Sequence, residues 1–374
     1  MRPLYFVGGL SLVLLISAAI AATSLDVPSS GLVVSSGPRW FDYVVVIMLE
    51  NHSINYTYYN GAGTPCQGLG NCTFFTALAN QHGLAESYGL DGVMGGSIGD
   101  YVAITSGYGN TSTSCNNGPN PPNQMGCSLL PLPNIVDNLE TAHLTWKAYM
   151  EGYPIPKGCY NTSTSYPYYY GAGHNPFIFY ADIQNNATRC SQIVAANSLN
   201  NQPNIIVNAT THRCWSNTGI VVDDDLFLND LSSVATASNY MFLTPNTIDD
   251  NHDCNDVSVG NAWLQKLVPQ ILNSYIFTTQ RAALFITFDE QTCTFPPPPI
   301  PMDLSCPSAS PNLYAIWASN SASLQPTTRA ALKSTVSFTH YSQLKTVEDN
   351  WHLPYLVAST DGSSKTIDMQ VFFR

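Results

Sequence analysis

The sequence predicts an α/β fold: a mainly parallel sheet with helices on both faces, of the kind that carries ligands at one sheet edge. Three observations predict it. Short runs of β-branched and aromatic residues recur along a chain of 374 residues that is 44% hydrophobic, and such runs suit strands buried on both faces. Segments of helical spacing lie between several of them, the alternation of a parallel sheet. Several runs also end abruptly in carboxylates, amides and imidazoles, and ligands in open α/β sheets bind just beyond the carboxyl ends of the strands.

The elements follow in chain order. Arg2 precedes an apolar stretch over residues 4–22 that ends in "SAAIAATS", the pattern of a secretory signal peptide. The stretch is nearly long enough to span a bilayer. A retained anchor, and membrane association through residues 4–22, therefore stays open beside cleavage near Ala22. Either reading makes the protein secreted or displayed at the cell surface. A Ser/Gly-rich spacer follows over 23–39, and 40–374 reads as one domain. Buried strands are expected at 43–49, 204–208, 239–243, 282–288 and 312–318. In "GNAWLQKLVPQILNSY" the residues Trp263, Leu264, Leu267, Val268, Ile271, Leu272 and Tyr275 repeat at helical spacing, with Pro269 expected to kink or weaken the middle. Segments 108–128 and 291–311 read as stapled loops. The aromatics of "SYPYYYGAGHNPFIFY" read mainly as core, with a cleft wall as the alternative.

Composition narrows the function. The chain carries 25 Asp and Glu against 13 Lys and Arg, a net charge of −12. No basic run stands out, so nucleic acid is excluded as the expected partner. Ten cysteines in an exported chain read as disulfides, with Cys66–Cys72, Cys115–Cys127 and Cys293–Cys306 expected from neighbour spacing. Sequons at Asn55, Asn71, Asn110, Asn161, Asn186 and Asn208 mark exposed loops if the host glycosylates. A seventh, at Asn51, is expected to be too buried.

The chemistry gathers where strands end. "DYVVVIMLENHS" runs into Glu50, Asn51, His52 and Ser53. "YMFLTPNTIDDNHD" ends in Asn246, Asp249, Asp250, His252 and Asp253, and "ALFITFDE" ends in Asp289 and Glu290. "SFTHYS" offers His340, and "GGSIGDYVAITSG" offers Ser97 in a glycine-rich turn with Asp100 beyond it. Any one ending suits a helix cap or a satisfied histidine. Together they supply oxygen and nitrogen ligands for a divalent cation whose identity the sequence leaves open.

At these segments the chain resembles the phosphoesterase family that contains acid phosphatases and phosphatidylcholine-type phospholipases C, within the alkaline-phosphatase-like superfamily. The opening segment resembles that family's strand followed by Glu-Asn-x-Ser. "HLTWKAYMEGYP" is similar to its Ser/Thr-Trp-Lys-x-Tyr-x-Glu signature, and "HNPFIFYADIQNNATRC" to its Asn-Pro-Phe segment. "LTPNTIDDNHD" resembles its Thr-Pro-Asn-x-x-x-Asp-x-His-Asp block, "FITFDE" its Asp-Glu strand, and "THYSQLKTVEDNWHLPYL" its His-Tyr-Ser-x-Leu-x-Thr-x-Glu-Asp ending. These matches run in order from residue 42 to 356.

The resemblance implies roles. Glu50 and Asn51 match the first metal ligands, Asp289 and Glu290 the later pair, and Ser97 the nucleophile, itself within reach of the metal. His252 and His340 match positions that touch the phosphate or a metal, and Asp250 the acid of the His252 block. Asp249 and Asp100 depart from the family pattern. Asp249 adds a candidate ligand, and Asp100 replaces an amide expected to face the phosphoryl group. The expected activity is that of an acid phosphatase acting on phosphate esters through a phosphoserine. A phospholipase C-type phosphodiesterase and an inactive cell-surface protein of the same fold stay open. Ser53 is the rival serine, read rather as a helix cap.

Overall fold

The computed structural model describes residues 1, 38–58, 72–90, 93, 96–109, 128–198, 205–207, 214–216, 224–253, 257–291, 312–320, 322–323 and 327–374. The segment 4–22 and the pairs Cys115–Cys127 and Cys293–Cys306 lie outside them. Gly37–Arg374 forms one compact unit; of Met1–Ser36, only Met1 is described.

In chain order the strands are β1 (Tyr43–Leu49), β2 (Gly83–Gly89), β3 (Trp146–Met150), β4 (Ile193–Ala195), β5 (Ile205–Val207), β6 (Cys214–Ser216), β7 (Tyr240–Thr244), β8 (Ala282–Phe288), β9 (Ala315–Ala318) and β10 (Lys333–Thr339). The helices are α1 (Ile54–Thr57), α2 (Thr73–Gln81), α3 (Ser97–Ser106), α4 (Ile135–Thr141), α5 (Ala181–Gln184), α6 (Ala187–Cys190), α7 (Asp225–Asp230), α8 (Ser258–Leu272), α9 (Tyr275–Thr279) and α10 (His340–Trp351). Eight strands form one sheet in the order β10-β2-β9-β8-β1-β7-β3-β4. Only β9 runs against its neighbours.

Strand β1 is central, and Val44 to Leu49 are fully buried. A strand buried at every position needs cover on both faces, and ring contacts identify the cover. Phe242 pairs with Val46, while Phe288 pairs with Leu49. Val46 and Leu49 differ by an odd number of residues, so they face opposite ways. Tyr101 of α3 meets Phe242, and Phe75 of α2 meets Phe288. Helices α2 and α3 therefore sit on opposite faces. The predicted α/β class holds.

Some expectations need correction. Segment 204–208 supplies β5, which pairs with β6 in a separate two-stranded sheet. Within 312–318, the strand starts at Ala315 and is antiparallel. Helix α8 passes through Pro269 and ends at Leu272, because the proline occupies its last turn rather than its middle. Cys159 and Cys190 form a disulfide that neighbour spacing did not suggest. Cys72 is in a disulfide, while Cys66 lies outside the described residues. Among the described residues no helix is long and apolar enough to cross a membrane.

Candidate active site

Register alone brings the first acidic pair together. Leu49 pairs with Phe288, so the next residues, Glu50 and Asp289, leave the sheet side by side, and their carboxyls are hydrogen-bond partners. Asn51 turns through the left-handed region (φ 66°), which Asn tolerates better than most residues. That turn aims its N–H at Asp289 Oδ1 (2.8 Å), and its side-chain amide donates to Glu50 Oε2 (3.3 Å).

Ser97 arrives from the other direction as the first residue of α3. Gly96 before it has φ 66° and ψ −166°, a conformation open essentially to glycine. Ser97 Oγ donates to Glu50 Oε2 at 3.0 Å and lies buried. An anion held over Ser97 meets a helix N-terminus, where backbone N–H groups and the helix dipole favour negative charge. Ser53 stands at the N-cap of α1, yet its hydroxyl makes no capping bond.

His174 is the residue that sequence reasoning missed. It is buried, with Nδ1 3.0 Å from Asp250 Oδ2 and Nε2 3.3 Å from Glu50 Oε1. Burial, then neighbouring His252, hold its pKa well below the usual imidazole value, so the ring is neutral. Nδ1–H then donates to Asp250, and the Nε2 lone pair faces a carboxylate oxygen. A cation between the two would relieve that opposition, and a carboxylate-oriented histidine is the usual support of a metal ligand. His252 repeats the pattern, with Nδ1 2.9 Å from Asp253 Oδ1 and its N–H on Asp250 Oδ1 (2.7 Å).

Two groups of ligand atoms result, each spanning at most 4.8 Å: Glu50, His174 and His252, and Asp100, Asp289 and Glu290. Asp100 thus joins the later acidic pair, while Asp249 faces away from both. Its Oδ2 accepts from Asn246 Nδ2 (2.9 Å), beside Glu151. His340 is fully buried with both ring nitrogens engaged. Nε2 donates to the Asp289 carbonyl (2.7 Å), and Nδ1 accepts from the Tyr88 hydroxyl (3.0 Å). Burial lowers its pKa to about 4. It braces Asp289, and its Nε2 lies 3.8 Å from Asp100 Oδ1.

The donor set fits a cation. Glu50 Oε1, Asp100 Oδ1 and Asp289 Oδ2 are buried without a hydrogen bond, a costly state for carboxylate oxygens unless something else pairs with them. Burial and then repulsion by Asp289 push Glu50 and Asp100 well above the carboxylate range, and burial followed by Asp289 lifts Glu290 to about 8. A divalent ion reverses that balance and lets the acids ionise together.

A model of the Phosphoesterase family matches residues 69–354, and the chain belongs to that family. It is 26% identical over 225 residues to an acid phosphatase of Aspergillus fumigatus, covering 59% of this chain and 40% of that protein. A probable acid phosphatase of Kluyveromyces lactis is 26% identical over 239 residues, covering 63% and 45%. The matched region thus spans less than half the length of these relatives. Among solved structures, the fold is similar to the lipoteichoic acid synthase LtaP of Listeria monocytogenes, with a TM-score of 0.50 and 10% identity, covering 87% of this chain and 76% of that one. A protein in the alkaline phosphatase superfamily from Vibrio parahaemolyticus matches at a TM-score of 0.48 and 11% identity, covering 84% and 67%.

Proposed function

We propose that the chain is a secreted, metal-dependent phosphoesterase that hydrolyses phosphomonoesters through a phosphoserine on Ser97. One observation carries this reading: a serine hydroxyl at a helix N-terminus, 3.0 Å from Glu50 Oε2, beside two groups of ligand-type atoms. Glu50, His174 and His252 would hold one cation, and Asp100, Asp289 and Glu290 a second, with Asn51 beside both Glu50 and Asp289. A bound divalent ion lowers the pKa of a serine hydroxyl and neutralises charge on phosphoryl oxygens. The mixed nitrogen and oxygen set admits zinc, iron or manganese, and the all-oxygen set magnesium, calcium or manganese.

Ser97 Oγ–H points at Glu50 Oε2, which is the route for its proton as the Oγ–P bond forms. The P–O bond to the alcohol breaks, and the alcohol takes its proton from water, since His252 as a ligand, with Nδ1 on Asp253 Oδ1, has none to give. Water then cleaves the phosphoserine and inorganic phosphate leaves. His340 acts from behind, by fixing Asp289. The phospholipase reading gains little from segment 166–180: Phe177 to Tyr180 are buried in the core, while Tyr170 lines the cleft and Tyr166 is exposed. Secretion draws support from the disulfides and from exposed sequons at Asn55 and Asn186.

The test is hydrolysis of an aryl phosphate across pH, followed by acid quenching with a labelled substrate and peptide mapping. Label is expected on the peptide holding Ser97, and Ser97→Ala should lower turnover roughly 10³-fold or more. Label on Ser53, or full activity in Ser97→Ala, refutes the assignment.

A further inference from the structure

We propose that the cleft over Ser97 is a subsite for a small, neutral, hydroxylated alcohol, so that the favoured substrates are polyol or sugar phosphomonoesters; this rests on the phosphoesterase reading above. The cleft holds about 220 Å³, and Ser163, Thr164, Tyr170, Thr247 and Asp253 line it together with Ser97 and the two histidines. That is below the roughly 300–1,000 Å³ of pockets that take drug-sized ligands. Among the described residues Tyr170 is the one large apolar side chain that lines it, so an acyl chain would gain little there by desolvation.

The wall is built to hydrogen-bond. Ser163 Oγ accepts the Ala172 N–H at 2.9 Å, and Thr164 Oγ1 accepts the Tyr170 N–H at 3.0 Å. With backbone donors on their acceptor sides, both hydroxyl protons point elsewhere, and neither donates to another described residue. In the same lining, Thr247 Oγ1 donates to Asp253 Oδ2 at 2.6 Å, and a carboxylate has about four acceptor sites. A diol both donates and accepts, and this wall offers both partners. Asp253 also repels a leaving group that carries its own negative charge.

The wall is preorganised. Tyr153 OH accepts the Tyr160 N–H (2.7 Å) and bonds to the Gly158 carbonyl, Tyr170 OH donates to Tyr160 O (3.1 Å), and Thr164 N–H donates to Tyr170 O (2.9 Å). Cys159, next to Tyr160 in the chain, is tied to Cys190. Gly152 (φ +66°) lies so close to the Tyr168 carbonyl that any side chain would clash. Thr247 N–H donates to Tyr169 O (2.9 Å), joining the two halves of the wall. A fixed wall recognises hydroxyls without an ordering cost at each turnover.

The experiment compares kcat/KM of the metal-loaded full chain for glycerol 1-phosphate and n-propyl phosphate, which match in length and charge. Glycerol 1-phosphate should be favoured by at least about tenfold, chiefly through KM, since a site that hydrogen-bonds a substrate hydroxyl disfavours the analogue lacking it. In Ser163→Ala/Thr164→Val that ratio should fall several-fold. Because the ratio is internal, partial misfolding lowers both rates and leaves it unchanged, whereas loss of the subsite collapses it. A ratio near one in the wild type, a ratio unaltered in the variant, or faster release of phosphocholine from phosphatidylcholine vesicles would each overturn the proposal. No hydrolysis of any ester would overturn the phosphoesterase reading, and this proposal with it.

Discussion

At the scale of single residues, the arrangement turns on which nitrogen of a histidine carries its proton. Asp250 receives Nδ1–H of His174 on Oδ2 and the backbone N–H of His252 on Oδ1, so one carboxylate sets the tautomer of one ring and the place of another. Asp250→Asn keeps an oxygen for His252 but turns an NH₂ toward His174 Nδ1. The proton must then move to Nε2, facing Glu50, and the lone pair is lost as a ligand. Metal affinity should fall about 10–100-fold, the usual cost of removing such a support, as read by competition with a chromogenic chelator; unchanged affinity would exclude the tautomer argument. The sequence shows some of this site and hides the rest. Glu50, Ser97 and Asp289 stand at the ends of strong local patterns. His174 opens the segment "HNPFIFYADIQNNATRC" that resembles the family's Asn-Pro-Phe stretch, but its partners Asp250 and Glu50 are remote in sequence, so nothing local shows that it meets them. Asp249 and Asp250 look alike in sequence, yet one faces Asn246 and Glu151 and the other His174. Only the fold of the turn separates them.

At the scale of elements, the legible strands are those buried on both faces, because burial leaves an uninterrupted apolar run. β10 was illegible for the opposite reason. It reads "KSTVSFT" with four exposed positions and a register shift against β2 between Ser334 and Ser337, as suits an edge strand. The helix after it carries a testable acid. In α10, Glu348 accepts the Leu356 N–H (3.2 Å) and is a hydrogen-bond partner of Asp361, which also holds the Leu356 and Val357 N–H groups. Burial first, then Asp361, raises the pKa of Glu348 from 4.5 to about 10. The native state therefore holds this proton more tightly than the unfolded chain. Its stabilising contribution is complete below pH about 4.5 and declines by at most about 1.4 kcal/mol per unit as pH rises toward 10. Glu348→Gln keeps an acceptor for Leu356 and a donor for Asp361 without an ionisable proton. Its Tm should exceed that of the wild type by a margin that grows from pH 5 to pH 9. A margin that is constant or negative would show that Glu348 is ionised in the native protein.

At the scale of the whole molecule, the sheet gathers acid against the chain's own electrostatics. The net charge is −12, yet Glu50, Asp100, Asp250 and Asp289 are all buried at one edge of the sheet. Strand order explains how: β1 lies between β8 and β7, so the chain leaves the sheet in both directions from it, and the crevice opens where those directions part. This much follows from an α/β pattern with polar strand ends and was legible; that the acids divide into two groups was not, because the division depends on side-chain directions. Concentrated buried acid raises the free energy of the native state unless a cation offsets it, and unfolding disperses the acids into water. A cation that binds only the native state adds RT ln(1 + [M]/Kd), about 4 kcal/mol at a thousandfold excess over Kd. For a chain of this length each kcal/mol moves Tm by roughly 1.3 °C. Treatment with EDTA and dialysis should therefore lower Tm by several degrees and remove phosphomonoester hydrolysis, and restoring a single divalent metal should recover both in parallel. Asp289→Asn should show the low Tm shift on metal addition without any treatment, because it removes charge from the acidic cluster and a ligand together. If chelation removes activity while Tm stays fixed, the cation does not offset the buried acid. If neither changes, the two groups of acids and histidines are not metal sites, and the carboxyls are held there as neutral acids.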